Sequence, residues 1–100
     1  MEKKELINIV MESLREVNST FDDPDPEFER LTVDTKIFGE RGLLDSLGLV
    51  TLISIIESRI SEEFNKEIVI VTEKAMSRKF SPFRSIQSLA EFIEKLLKEG

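Results

Sequence analysis

Three stretches with apolar residues three and four positions apart constrain the fold of this chain more than any other feature. Such spacing places the apolar side chains on one face of a helix. The first predicted helix runs from about Glu2 to Asn18, with its stripe formed by Leu6, Ile7, Val10, Leu14 and Val17. The second stripe comprises Leu49, Leu52, Ile53, Ile56, Ile60 and Phe64, and the third Ile86, Leu89, Ala90, Ile93, Leu96 and Leu97. Helices with one apolar face must pack against each other, which predicts an all-α bundle.

Local residue chemistry marks where these helices begin and end. The polar run from Asn18, followed by Pro24 and Pro26, ends the first helix, because proline lacks a backbone donor and disfavours a helical residue before it. Asp45 is the predicted N-cap of the second helix and Ser85 that of the last, since their side-chain oxygens can accept from the unpaired amides of a first turn.

Two connections complete the predicted fold. The stretch 19–44 has no sustained period, but it is too apolar for a solvated linker and is expected to pack on the core. Residues 68–71, Ile-Val-Ile-Val, are predicted to be an extended, buried connection, because no other segment offers a convincing partner strand. A short helix is expected from Thr72 to about Lys79. The chain is therefore predicted to be a single domain, 1–100, folded as a four-helix bundle with a short third helix.

The composition excludes several classes of function. The chain has no His and no Cys, so it lacks the usual general base for a serine nucleophile, a thiolate and a His- or Cys-based zinc site. Twenty acidic and fourteen basic residues give a net charge of −6, which disfavours nucleic acid and favours partners with basic surfaces. The N-terminus has no apolar targeting segment, and no run could span a bilayer, so we expect a cytoplasmic protein. Because the usual catalytic residues are absent, we also expect that it is not itself an enzyme.

One motif lies where the long connection meets the second helix. Ser46 follows Asp45 directly in the run Gly42-Leu43-Leu44-Asp45-Ser46-Leu47. Beyond it a second stripe lies away from the core-facing arc, which predicts an exposed, partly apolar flank beside Ser46. Its residues are Leu47, Val50, Ser54 and Ser58.

Over nearly its whole length the chain resembles the phosphopantetheine-binding carrier proteins of fatty acid, polyketide and nonribosomal peptide synthesis. Asp45-Ser46-Leu47 looks like the Asp-Ser-Leu signature that opens the second helix of that family. The stretch 34–38, Asp-Thr-Lys-Ile-Phe, resembles the loop leading to it, and 85–89, Ser-Ile-Gln-Ser-Leu, resembles the start of the family's last helix. The resemblance implies a four-helix bundle of the acyl-carrier type, monomeric and free-standing.

The resemblance also implies a function for Ser46. A phosphopantetheinyl transferase would attach 4'-phosphopantetheine from coenzyme A to its hydroxyl, flanked by Asp45 and Leu47. A loading enzyme would then add an acyl or aminoacyl group to the thiol, and synthases or transferases with basic docking surfaces would use it. The implied docking residues are Leu47, Val50, Ser54 and Glu57. An acyl chain would be sheltered in the apolar interior between the second helix and the short third helix expected from Thr72 to about Lys79.

Three departures from the family pattern indicate a specialised member. The second helix is less acidic than in fatty-acid carriers, it is longer by about one turn at Ser61–Asn65, and the predicted third helix is basic. The expected function is transport of acyl thioesters in fatty acid, lipid or polyketide-type synthesis. The alternatives are an aminoacyl or peptidyl carrier and a cofactor-free helical interaction module. In the last case Ser46 is only a helix-start serine, and Leu47 and Val50 are ordinary surface residues.

Overall fold

The computed structural model describes residues 3–38, 42–70 and 82–99. These residues form three helices and no strand: α1 at Lys3–Ser19, α2 at Ser46–Phe64 and α3 at Ile86–Glu99. Two short 3₁₀ turns lie at Pro26–Glu29 and Pro82–Arg84. The chain is thus a compact all-helical bundle, with a radius of gyration of 12.6 Å. The short helix predicted from Thr72 to Lys79 lies outside the described residues.

The core is built from the three predicted apolar stripes. In α1 the buried side chains include Ile9, whereas Ile7 from the predicted stripe is only half-buried. In α2 and α3 the predicted faces are confirmed, apart from Phe64 and Leu96, which are half-buried. The fully buried residues of these two helices are Leu49, Leu52, Ile56, Ile60, Ile86, Leu89, Ala90 and Ile93.

The connection between α1 and α2 packs on this core, as predicted. Ile37 and Leu44 are buried, and so is Phe28, which the sequence pattern had not singled out. The Asn18 side-chain amide donates to the carbonyl of Asp25 (3.2 Å), and its oxygen accepts from the Asp25 N–H (2.8 Å). These two bonds join the end of α1 to the 3₁₀ turn that presents Phe28 to the core.

The segment after α2 is extended but only partly buried. Asn65 ends the helix in the left-handed conformation (φ 52°, ψ 39°). Ile70 is 3% exposed and Ile68 is half-buried, whereas Val69 is 73% exposed, so the prediction of a buried run is wrong for Val69. Val71, the last residue of that predicted run, lies outside the described residues. Successive side chains of an extended backbone point to opposite sides, which is why Val69 faces away from the core that holds Ile70.

Ion pairs link the helices at the surface. Arg59 of α2 contacts Glu12 at 3.3 Å and Glu16 at 3.2 Å on α1, while Lys3 of α1 contacts Glu91 of α3 at 3.1 Å. Among the described helices, none combines the length and apolar character that crossing a membrane requires.

Candidate functional site

The start of α2 is fixed by Asp45. Its backbone is extended (φ −85°, ψ −175°), and its carboxylate Oδ1 accepts from the N–H of Gly48 at 2.8 Å. The predicted N-cap is therefore confirmed. Ser46 becomes the first residue of a 19-residue helix, at the point where the connection ends.

The loop before Ser46 is fixed by backbone hydrogen bonds between residues 43–44 and residues 36–37. The N–H of Leu43 donates to the carbonyl of Lys36 at 3.1 Å, and that of Leu44 donates to Ile37 at 2.9 Å. Phe38 and Leu44 form an isolated parallel bridge. The backbones approach so closely that a Cβ on Gly42 would lie 2.7 Å from the Phe38 Cα, so this position requires glycine.

The same loop is bonded to the start of α3. The N–H of Ile86 donates to the carbonyl of Thr35 at 3.1 Å, and that of Gln87 donates to Val33 at 2.9 Å. A third bond joins the Phe38 N–H to the Phe83 carbonyl at 3.1 Å. The structure thus brings together the two stretches that carry the resemblance, 34–38 and 85–89. The loop that leads to Ser46 is bonded both to the residues just before α2 and to the start of α3.

The predicted flank of α2 is exposed. Leu47 is 76% and Val50 53% exposed, whereas the intervening Leu49 is fully buried. Ser54 and Ser58 continue the exposed stripe, as expected from the helical period. Gly48 lies on the opposite, buried side, where an added Cβ would be 3.1 Å from a methyl carbon of Leu44. A larger side chain at position 48 would require the side chains of Leu44 and Asp45 to shift by a few tenths of an ångström.

Glu57, the fourth predicted docking residue, has a contact that the sequence did not indicate. It is half-buried, and its carboxylate Oε2 accepts from the backbone N–H of Ile70 at 2.9 Å. The sequence offered no signal for this bond, because an extended connection can be laid against a helix in many registers.

A groove of about 430 Å³ lies beside the flank, between α1 and α2. Its lining residues are Glu16, Ser54, Ile55, Ser58, Arg59 and Glu62. Arg59 is already engaged by Glu12 and Glu16, so the groove presents mainly acidic and hydroxyl groups. Within ranges 3–38, 42–70 and 82–99, no three His, Cys, Asp or Glu residues are grouped so that they could hold a metal ion.

Comparison of the chain with protein-family models, with curated proteins and with solved structures finds no match.

Proposed function

We propose that this chain carries acyl groups as thioesters on a 4'-phosphopantetheine arm attached to Ser46. One observation supports the proposal most: Ser46 opens a capped helix directly beside the exposed Leu47, at the end of a loop anchored on both sides. A chain without His or Cys has little means of using this serine as a nucleophile in its own catalysis. We therefore infer that this serine is a substrate for another enzyme.

The surroundings of residue 46 suit a phosphodiester. The amino end of a long helix carries partial positive charge from its aligned peptide dipoles, which favours an attached anion. The Asp45 carboxylate accepts the N–H of Gly48, whereas the amides of residues 46 and 47, also in the first turn, have no acceptor within the helix. The bound arm would supply the thiol that the chain itself lacks.

The exposed flank gives the arm's partners a place to dock. Leu47 and Val50 would contribute apolar area, and Ser54 a hydroxyl. The net charge of −6 would attract enzymes whose docking surfaces are basic, among them the phosphopantetheinyl transferase and the loading enzymes. The proposal includes a monomeric, cytoplasmic protein with the four-helix fold of acyl carriers. Residues 72–79 would form its short helix, between α2 and α3.

Intact mass measurement tests the proposal. Incubation with coenzyme A and a broad-specificity phosphopantetheinyl transferase should add one phosphopantetheine to the wild-type chain. Ser46→Ala should abolish the addition, whereas Ser19→Ala, an exposed serine at the end of α1 and outside the docking flank, should retain it. An unmodified wild-type chain with several such transferases would refute the carrier function and leave a cofactor-free interaction module.

The cargo is tested separately. The run Gly42–Gly48 resembles stand-alone aminoacyl carriers as closely as fatty-acyl ones. Protein purified from its natural source should release an acyl group when its thioester is cleaved with hydroxylamine. Release of an amino acid would instead assign the chain as an aminoacyl carrier on the same arm.

A further inference from the structure

The bond between Glu57 and Ile70 is the main polar attachment of the segment that follows α2. The Glu57 carboxylate and the Ile70 N–H are 2.9 Å apart, although the residues are separated by 13 positions. The Ile70 side chain belongs to the core, while Val69 before it is exposed. Within the part of the chain that the structure describes, residues 67–70 make no other hydrogen bond. This bond therefore adds a polar attachment to the apolar burial that holds Ile70 in the core.

The half-buried Glu57 side chain borders the exposed flank of α2. Glu57 follows Val50 by seven positions, which is two helical turns and a rotation of only about 20° from the same face. Ser54 and Ser61, three before and four after Glu57, are its neighbours along the helix and are exposed. A molecule lying on Leu47, Val50 and Ser54 therefore reaches the Glu57 side chain.

We propose that Glu57 is a latch, which a cationic side chain docking on this flank opens by competing with the Ile70 N–H for the carboxylate. Carboxylates bond guanidinium and ammonium groups more strongly than neutral amides. When a cation displaces the Ile70 N–H from the Glu57 carboxylate, Ile70 loses this hydrogen bond and its side chain leaves the core more often. The proposal rests on the proposed function in one respect, that the docking molecule is an enzyme acting on the carried group. Docking would then loosen the apolar interior at the moment that the group has to be handed over.

Hydrogen exchange of the Ile70 amide, measured by NMR, tests the latch. Glu57→Ala should accelerate this exchange about tenfold or more, since hydrogen bonds to charged acceptors are the stronger class. Ser54→Ala, on the same flank but without a hydrogen bond to Ile70, should leave the rate unchanged. The amides of Leu89 and Ile93 report global unfolding in the same spectra. Equal acceleration at those amides, or none at Ile70, would refute the latch.

The competition by a cation is tested within the chain itself. Ser61→Arg and Ser54→Arg each place a guanidinium beside Glu57, and Ser61→Gln and Ser54→Gln are neutral controls of similar length. At least one Arg variant should exchange the Ile70 amide about twofold faster than its Gln counterpart, because helical ion pairs are weak. If neither does, the carboxylate does not respond to a docked cation and the proposal is wrong.

The outcome is separable from that of the carrier proposal. Mass measurement after the transferase reaction reports on Ser46 alone, and exchange at Ile70 reports on Glu57 alone. A chain that accepts phosphopantetheine but ignores the Arg substitutions keeps the carrier function and loses the latch. The reverse pattern keeps the latch and loses the carrier function.

Discussion

Asp45 shows how a single side chain can set the register of a functional residue. Its carboxylate oxygen accepts the Gly48 N–H, so the helix begins at Ser46. This contact could be predicted from the sequence because a cap and its amide lie within three residues of each other. Glu57 and Gly42 could not be understood in this way. Their partners, Ile70 and Phe38, are brought near by the fold.

Replacement of Asp45 should destabilise the chain through the cap. Asp45→Ala should lower the free energy of unfolding by about 1 kcal/mol, measured by urea denaturation, because the Gly48 N–H loses its acceptor. Asp45→Asn should keep most of the stability, since an amide oxygen caps as well as a carboxylate. A loss as large in the Asn variant as in the Ala variant would mean that charge, rather than the hydrogen bond, holds the helix start.

Between helices, the contact of α1 with α3 through Lys3 and Glu91 is the one that should respond to pH. A hydrogen bond from Lys3, a second from Gln87 and the positive charge of Lys3 lower the pKa of Glu91 below its usual value. A folded-state pKa below that of the unfolded chain means that the ionised form favours folding. The stabilisation is present at pH above the unfolded pKa and is lost as the pH falls through the folded value.

Glu91→Gln should therefore reduce stability slightly at neutral pH, and the difference from wild type should vanish in acid. The effect should be small and should shrink further with added salt, because both side chains are exposed to solvent. Thermal unfolding at pH 7 and pH 3, each at low and high salt, measures it. Glu94→Gln on the same helix, where the described residues show no ion pair, is the control. A gap between Glu91→Gln and wild type that persists unchanged at pH 3 would contradict the assignment.

For the whole chain, the three described helices were predictable, whereas the side-chain placement in the connections was predictable only in part. The apolar period of α1, α2 and α3 repeats within each segment, so their faces and approximate ends follow from local sequence. The prediction that 19–44 packs on the core is confirmed, but the burial of Phe28 was not foreseen. The burial of Phe28 depends on the two hydrogen bonds between Asn18 and Asp25 and on the path of the loop across the helices. The exposed Val69 was mispredicted for a similar reason, because composition alone does not give the side on which each residue of an extended chain lies.

Phe28 offers a test of whether this connection and the helices fold as one unit. Its side chain is fully buried, and its ring meets that of Phe21 edge-on, with centroids 6.0 Å apart. Phe28→Ala should lower the free energy of unfolding by about 3–5 kcal/mol, because it leaves a cavity in the core. Phe21→Ala should lower it far less, since that ring is 36% exposed.

A loss of about 3–5 kcal/mol is a large share of the roughly 5–15 kcal/mol that holds a typical domain folded. If the connection belongs to the cooperative core, Phe28→Ala will therefore shift the midpoint of helix unfolding, followed by far-ultraviolet circular dichroism in urea, well below that of Phe21→Ala. Equal midpoints for the two variants would mean that the connection unfolds before the helices. The loop that positions Ser46 would then be an independent, weaker unit, joined to α3 by the bonds from Ile86 and Gln87.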